Sequence, residues 1–277
     1  MTYSIVARDP STGELGVAVQ SHYFATGSVV TWAEPGVGAV ATQAMAEISY
    51  GPLGLDLMRA GKSAPDALRA LLAADDASAT RQVAMVDASG RVATHTGDKC
   101  IADAGHLTGD GWSVQANMMR RDTVWAAMAT AYEAAEGDLA DRLLAALDAA
   151  EAEGGDIRGK QSASLLVVPA TGARWDTTID VRVDDHPEPL PELRRLVAMR
   201  KAYLSAQDGP AMGDNPELAF WMGMALGIGG QVDEAMPLLR KAYAADEGWA
   251  ELLRRLPAAG LFPDDPDLLP GVLPGSR

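Results

Sequence analysis

The chain has 277 residues, 48% of them hydrophobic and 22% charged, a composition that supports a packed core and argues against general disorder. A net charge of −15 removes the surplus of Lys and Arg that binding to nucleic acid or to an anionic membrane requires. The single cysteine, Cys100, excludes an intrachain disulfide and any multi-cysteine zinc site, which fits a reducing cytoplasm.

The N-terminal MTYSIVARDP has no basic region followed by an apolar stretch, so it predicts a chain without a secretion signal. No later run approaches the roughly 20 apolar residues of a membrane helix. TYSIVARD and GVAVQSH are β-rich, and the turn-forming PSTGEL between them predicts a hairpin. SVVTWAE and GVGAVATQA continue as strands around Pro35 and Gly36. YGPLGLDLMRAG then predicts a helix that Gly61 ends. A second helix, SAPDALRALLAAD, is capped by Ser63, with Pro65 and Asp66 in its first turn. RQVAMVDA and RVATHTG predict another hairpin, and GWSVQANMM a further strand after a loop. Two alanine-rich helices cover roughly 122–153, and SASLLVVPA and DTTIDVRVDD predict the last two strands. Antiparallel hairpins with paired helices between them define an α+β architecture, and four αββα layers are the natural way to cover two such sheets. The proline-rich HPEPLPE places a domain boundary at 187/188, giving domains 1–187 and 188–277. The second is all-helical, and its helix, Gly-Gly turn and helix resemble a tetratricopeptide (TPR) hairpin.

Thr2 is the first candidate for chemistry. Loss of Met1 is expected when a small residue follows it, and Thr2 would then carry a hydroxyl beside a free α-amine. A hydroxyl needs an adjacent base to become a nucleophile. An α-amine with a pKa of about 7.7–8.0 can take that proton near neutral pH. One residue would supply nucleophile and base; alone, Thr2 reads first as an ordinary strand residue, and its case needs the company it keeps.

TYSIVARDPSTGELGVAVQS, AEPGVGAVATQA, SYGPLGLDLMRAG, RQVAMVDASGRVATHTG, GWSVQANMM and GDIRGKQSASLLVV together resemble the bacterial family known as domain of unknown function 1028, over about residues 1–185. That family is grouped with the N-terminal-nucleophile (Ntn) hydrolases. The resemblance implies an Ntn-hydrolase αββα sandwich and a hydrolase of C–N amide bonds acting through an acyl-enzyme on Thr2, with no cofactor and no metal. It also implies that Asn117, ending the strand SVQAN, donates to the oxyanion, and that His22, ending the second strand, lines the site. Gln43 stands in an apolar strand, where a buried amide must find partners; it either orients substrate or ties a neighbouring strand. His95 in THTG is either a site residue or a hydrogen-bonded turn histidine. Asp156, Gln161 and Ser162 lie in the glycine-rich GGDIRGKQSAS, which is expected to border the site. The implied partner is a small-molecule amide, with homodimerisation possible. The alternative is a non-catalytic binding or assembly protein on the same scaffold, with the helical tail as its interaction surface.

Overall fold

A computed structural model describes residues 2–208, 215–263 and 268–273. The chain divides into two compact units, Met1–Ala198 and Met199–Arg277. The first unit opens with the hairpin β1 (Thr2–Arg8) and β2 (Leu15–Ser21). A short helix α1 (Gly27–Val30) leads into β3 (Thr31–Glu34) and β4 (Gly38–Ala44). Helices α2 (Tyr50–Arg59) and α3 (Ala64–Ala74) follow. Next come β5 (Arg81–Asp87), β6 (Val92–Thr96), β7 (Gly105–Gly109) and β8 (Trp112–Asn117). Helices α4 (Val124–Ala134) and α5 (Leu139–Ala152) precede β9 (Ser162–Val168) and β10 (Ile179–Val183).

The described strands form a six-stranded sheet ordered β10-β9-β2-β1-β8-β7 and a four-stranded sheet ordered β3-β4-β5-β6. Every pairing is antiparallel. Because side chains alternate across a strand, β1 splits cleanly between two cores. Tyr3, Ile5 and Ala7 pack with Met128, Leu143 and Leu147 of α4 and α5. Val6 packs with Val17, Ala39 and Val86, joining the two sheets. The outer face of the small sheet buries Val40 and Met85 against Leu55 and Leu68 of α2 and α3. The layers therefore run helices, six-stranded sheet, four-stranded sheet, helices. Burial of this apolar area is the main force holding them together.

Local signals explain the helix ends. Ser63 Oγ accepts from Asp66 N at 3.1 Å with Pro65 in the first turn, and Gly61 adopts φ +88° after α2, as the sequence predicts. Glycine spacing in YGPLG has a packing cause. A Cβ at Gly51 would fall 2.4 Å from the Trp32 ring, so only glycine lets α2 lie this close to β3.

Two elements differ from the sequence reading. SVV, expected to begin a strand, ends helix α1, where Gly27 sits against Ser164 with no space for a side chain. GHLTG, expected as loop, forms the edge strand β7.

The second unit begins inside α6 (Pro189–Asp208). The division thus falls later than 187/188, because Leu190, Leu193 and Val197 of α6 belong to the core of the first unit. Within the second unit, Asn215 Oδ1 caps α7 (Pro216–Ile228) by accepting from Glu217 N at 2.9 Å. A turn at Gly229-Gly230 leads into α8 (Val232–Ala245), followed by α9 (Gly248–Arg255) and a short α10 (Leu268–Val272). Phe220, Met224, Leu239, Leu253 and Phe262 form their shared core. Trp249 packs on Phe220, while Trp221 is 43% exposed. Among the described residues, no helix is long and apolar enough to cross a membrane.

Candidate functional site

The space between the sheets is layered along β1. Val6, Val17, Ala39 and Val86 make one end apolar. Moving toward the N-terminus, Ser4 Oγ donates to Gln43 Oε1 at 2.7 Å, and Gln115 Nε2 reaches Ser4 Oγ at 3.2 Å and Ala41 O at 3.1 Å. At the last layer stands Thr2, 5% exposed, opposite Asn117 of β8 in the ladder. Its hydroxyl donates to Ser21 Oγ at 3.1 Å.

Three carboxamides hold Thr2 in place. Gln43 Nε2 donates to Thr2 O at 3.1 Å and to Gln82 Oε1 at 2.8 Å. Asn117 Nδ2 donates to the same pair, at 3.4 and 2.9 Å. Gln82 Oε1 is thus the shared acceptor that aims both amides at the Thr2 carbonyl. Gln82 is anchored in turn through Nε2, 2.9 Å from both Thr96 Oγ1 and Ala116 O and 3.1 Å from Gly105 O. All three carboxamides are essentially buried, so each bond replaces water that cannot reach them.

Thr2 forms part of the floor of a cleft of about 270 Å³, with Ser21 and Gln43 beside it. Val29, Val30, Ala44, Met45 and Ile48 contribute walls. The chain bends sharply at two points beside the floor: Ala44 has φ +69° and Met118, following Asn117, φ +62°. Such strain in residues with a Cβ concentrates at functional sites. Arg81 also reaches the cleft. Its Nη1 donates to Met45 O at 2.6 Å, its Nε to Asp75 Oδ2 at 2.8 Å, and Glu47 lies 3.9 Å from Nη2. The Arg81 hydrogen bond holds the Asp75 carboxyl below its ordinary value. Hydrogen bonds from the Ser49 hydroxyl and N–H do the same for Glu47. Two carboxylates therefore face one guanidinium at this lip.

The expected site residues separate into three groups. Thr2, Gln43 and Asn117 come together as described. Asn117 commits both amide hydrogens to Thr2 O and Gln82 Oε1, so it positions Thr2 and has no N–H left to hold an oxyanion. Asp156 and Ser162 act on the cleft through the segment after β2. Buried Asp156 accepts from His22 N at 3.0 Å and pairs with Arg158 at 3.0 Å. Ser162 Oγ donates to Tyr23 O at 2.5 Å and accepts from Thr26 N at 3.1 Å, bracing two residues of the cleft wall. The third group stands apart. The His22 ring is exposed and outside the cleft lining. Gln161 Nε2 turns to Asp185 Oδ1 at 3.0 Å. His95 lies on the other face of β6 from Thr94 and Thr96, its Nε2 2.9 Å from Ser78 O, because strand alternation sends it toward the helix layer.

Gln82 and Arg81 were not singled out by sequence reasoning. The signal for Gln82 is a repeated one: Gln43, Gln82 and Gln115 each interrupt an otherwise apolar strand. Cys100 donates to Arg81 O at 3.3 Å, and burial pushes its thiol pKa up, so the protonated form is favoured. Among the described residues, no group of three or more His, Cys, Asp or Glu is placed to hold a metal ion. Met1 lies outside the described residues.

A layered α+β sandwich with a buried hydroxyl on the floor of its cleft defines the class. Within it, the profile of a family of unknown function, DUF1028, matches residues 2–193, and the chain belongs to that family. A DUF1028 protein of known crystal structure from Silicibacter pomeroyi is 31% identical, with TM-score 0.66 over 76% of this chain and 88% of that chain. The ancestral β-subunit Anbu of Yersinia bercovieri aligns at 11% identity and TM-score 0.34, over 74% of this chain and 97% of that one, too slight a likeness to support an argument. No curated protein matches the chain.

Proposed function

We propose that this protein is an N-terminal-nucleophile amidohydrolase on an Ntn-type sandwich, with Thr2 as nucleophile once Met1 has been removed. The observation that carries the reading is the Thr2 hydroxyl, buried on the cleft floor and hydrogen-bonded to Ser21 Oγ.

In the first half-reaction Thr2 Oγ1 attacks the amide carbonyl carbon, and its proton passes to the Thr2 α-amine. The oxyanion is held by backbone N–H groups that line the cleft. Collapse breaks the C–N bond, and the departing amine takes the proton from the α-ammonium. In the second half-reaction water gives a proton to the α-amine and attacks the ester carbon. The acid leaves, and Thr2 Oγ1 recovers its proton. Gln43, Asn117 and Gln82 are positioning residues: by fixing the Thr2 carbonyl they fix the rotation that presents hydroxyl and amine to one carbonyl carbon, where small misplacements cost large factors in rate. None of these steps calls on a metal or organic cofactor.

The test joins intact-mass analysis to turnover of an amide panel. Active protein should lack Met1, and Thr2→Ala should lose at least about a thousandfold in kcat/KM, on the scale of removing a nucleophile. Turnover by protein that retains Met1 would overturn the mechanism.

The remaining assignments rest on the same reading. The enzyme works in the cytoplasm on a small-molecule amide. Its α7–α8 pair, joined by a Gly-Gly turn, is a single TPR-like hairpin, available for contact with a partner or a second copy of the chain.

A further inference from the structure

The cleft above Thr2 has a chemistry of its own. Seven of its lining residues are apolar or aromatic: Tyr23, Val29, Val30, Ala44, Met45, Ala46 and Ile48. Three large side chains among these stay open to solvent, Tyr23 at 56%, Met45 at 64% and Ile48 at 45% exposed. Large apolar side chains gathered around a concave site gain free energy when a ligand covers them. The polar groups, Thr2, Ser21 and Gln43, sit together on the floor, which is the division expected of a small-molecule site.

Charge narrows the ligand further. Among the described residues, Arg81 is the only cationic side chain lining the cleft, and it is already matched by Asp75 and Met45 O, with Glu47 close by. A carboxylate on the ligand would have to displace one of these partners, in sight of two existing carboxylates. Size sets the other bound. About 270 Å³ falls below the range of roughly 300–1,000 Å³ typical of drug-sized ligands.

We propose that this cleft selects the acyl half of a neutral amide, and that the preferred acyl group is a compact, branched or aromatic hydrocarbon larger than acetyl. Val29 and Ile48 are specificity-determining residues, because they present wall surface without touching the hydrogen bonds that hold Thr2. The proposal rests on Thr2 as nucleophile, since that role identifies which half of the substrate faces the wall.

The experiment compares 4-nitroanilides of acetic, 3-methylbutanoic, phenylacetic and glutaric acids, using the full chain lacking Met1. Burying one methylene contributes about fourfold in binding. The 3-methylbutanoyl and phenylacetyl substrates should therefore exceed the acetyl one in kcat/KM by about tenfold or more, and the anionic glutaryl substrate should not. Val29→Thr with Ile48→Thr, which replaces a methyl and an ethyl group of the walls by hydroxyls, should bring the 3-methylbutanoyl-to-acetyl ratio close to one. A second arm leaves catalysis out: binding of 3-methylbutanamide, acetamide and glutaramate to Thr2→Ala, followed by ligand-observed NMR. Selective binding without turnover in any Met1-free preparation would support the pocket and overturn the nucleophile reading. Turnover with no acyl preference, or with glutaryl preferred, would overturn the pocket and leave the nucleophile standing. Neither binding nor turnover would overturn both.

Discussion

The two ends of the space between the sheets are built from the same strands yet do opposite things. At the Val6 end, Leu15, Val17, Ala39 and Val86 close a dry core. At the Thr2 end, β4, β5 and β8 place Gln43, Gln82 and Asn117 where an apolar core would put Val or Leu. Each buried carboxamide has to be matched by partners, because its desolvation is not recovered otherwise. Around the first residue of its first strand the protein accepts that constraint three times over. The contrast teaches that the fold separates a stability end from a positioning end within one sandwich.

Four measurements can break or sharpen the contrast. The largest effect is expected from Gln82→Leu, which strips an acceptor from two buried amides; at about 1–3 kcal/mol for each unsatisfied donor, calorimetry should record a clear fall in Tm. Turnover should fall with it, and at a temperature where the variant is folded the loss should appear in kcat more than in KM. Unchanged kcat would remove Gln82 from the positioning end. Next comes Leu15→Ala at the dry end, expected to cost about 2–5 kcal/mol by denaturant unfolding while kcat/KM of the folded protein stays near the parent value. Ser162→Ala should be milder, about 1–3 kcal/mol from leaving the buried Thr26 N–H without its acceptor, and should raise KM because the Tyr23–Thr26 wall loosens. A raised KM with unaltered stability, or the reverse, would separate bracing from binding.

The smallest effect concerns acid. The Asp75 carboxyl is held down by Arg81, and Glu47 by Ser49. For a group whose folded-state pKa is lowered, the added stability is present above the unfolded value and is lost as pH falls through the folded one. Their ordinary values are 3.8 and 4.5. Hydrogen exchange of the Met45–Tyr50 amides should therefore hold steady near neutral pH, after correction for intrinsic rates, and rise only as pH drops below that range. Loosening already at pH 6 would show that other groups hold the lip.

Much of the sandwich is legible in the sequence. Alternation in TYSIVARD and GVAVQSH and the signals at Ser63 and Gly61 are local, and local rules decide them. The misreadings share a cause in tertiary contact. SVV has β-branched residues suited to a strand, yet Gly27 closes onto Ser164 and α1 turns there. GHLTG has little β-propensity, and pairing with β8 makes it a strand. In the site, residue type and place were enough to single out Thr2, Gln43 and Asn117, which the fold brings together. The directions of the His95 ring and the Asn117 amide were not legible, because strand parity and amide orientation decide which atoms face the cleft, and neither is written in spacing alone.

Thr2 shares a hydrogen bond with Asn117, 115 positions later in the chain, and its strand lies between β2 and β8 in the finished sheet. Synthesis proceeds at about 5–20 residues per second, so the first strand leaves the ribosome about 6–23 s before that partner exists. During this interval the amino terminus is open to processing enzymes. After β8 docks, Thr2 is buried. If Thr2 is the nucleophile as proposed, the order of synthesis sets a deadline: removal of Met1 belongs to the nascent chain, before β8 docks.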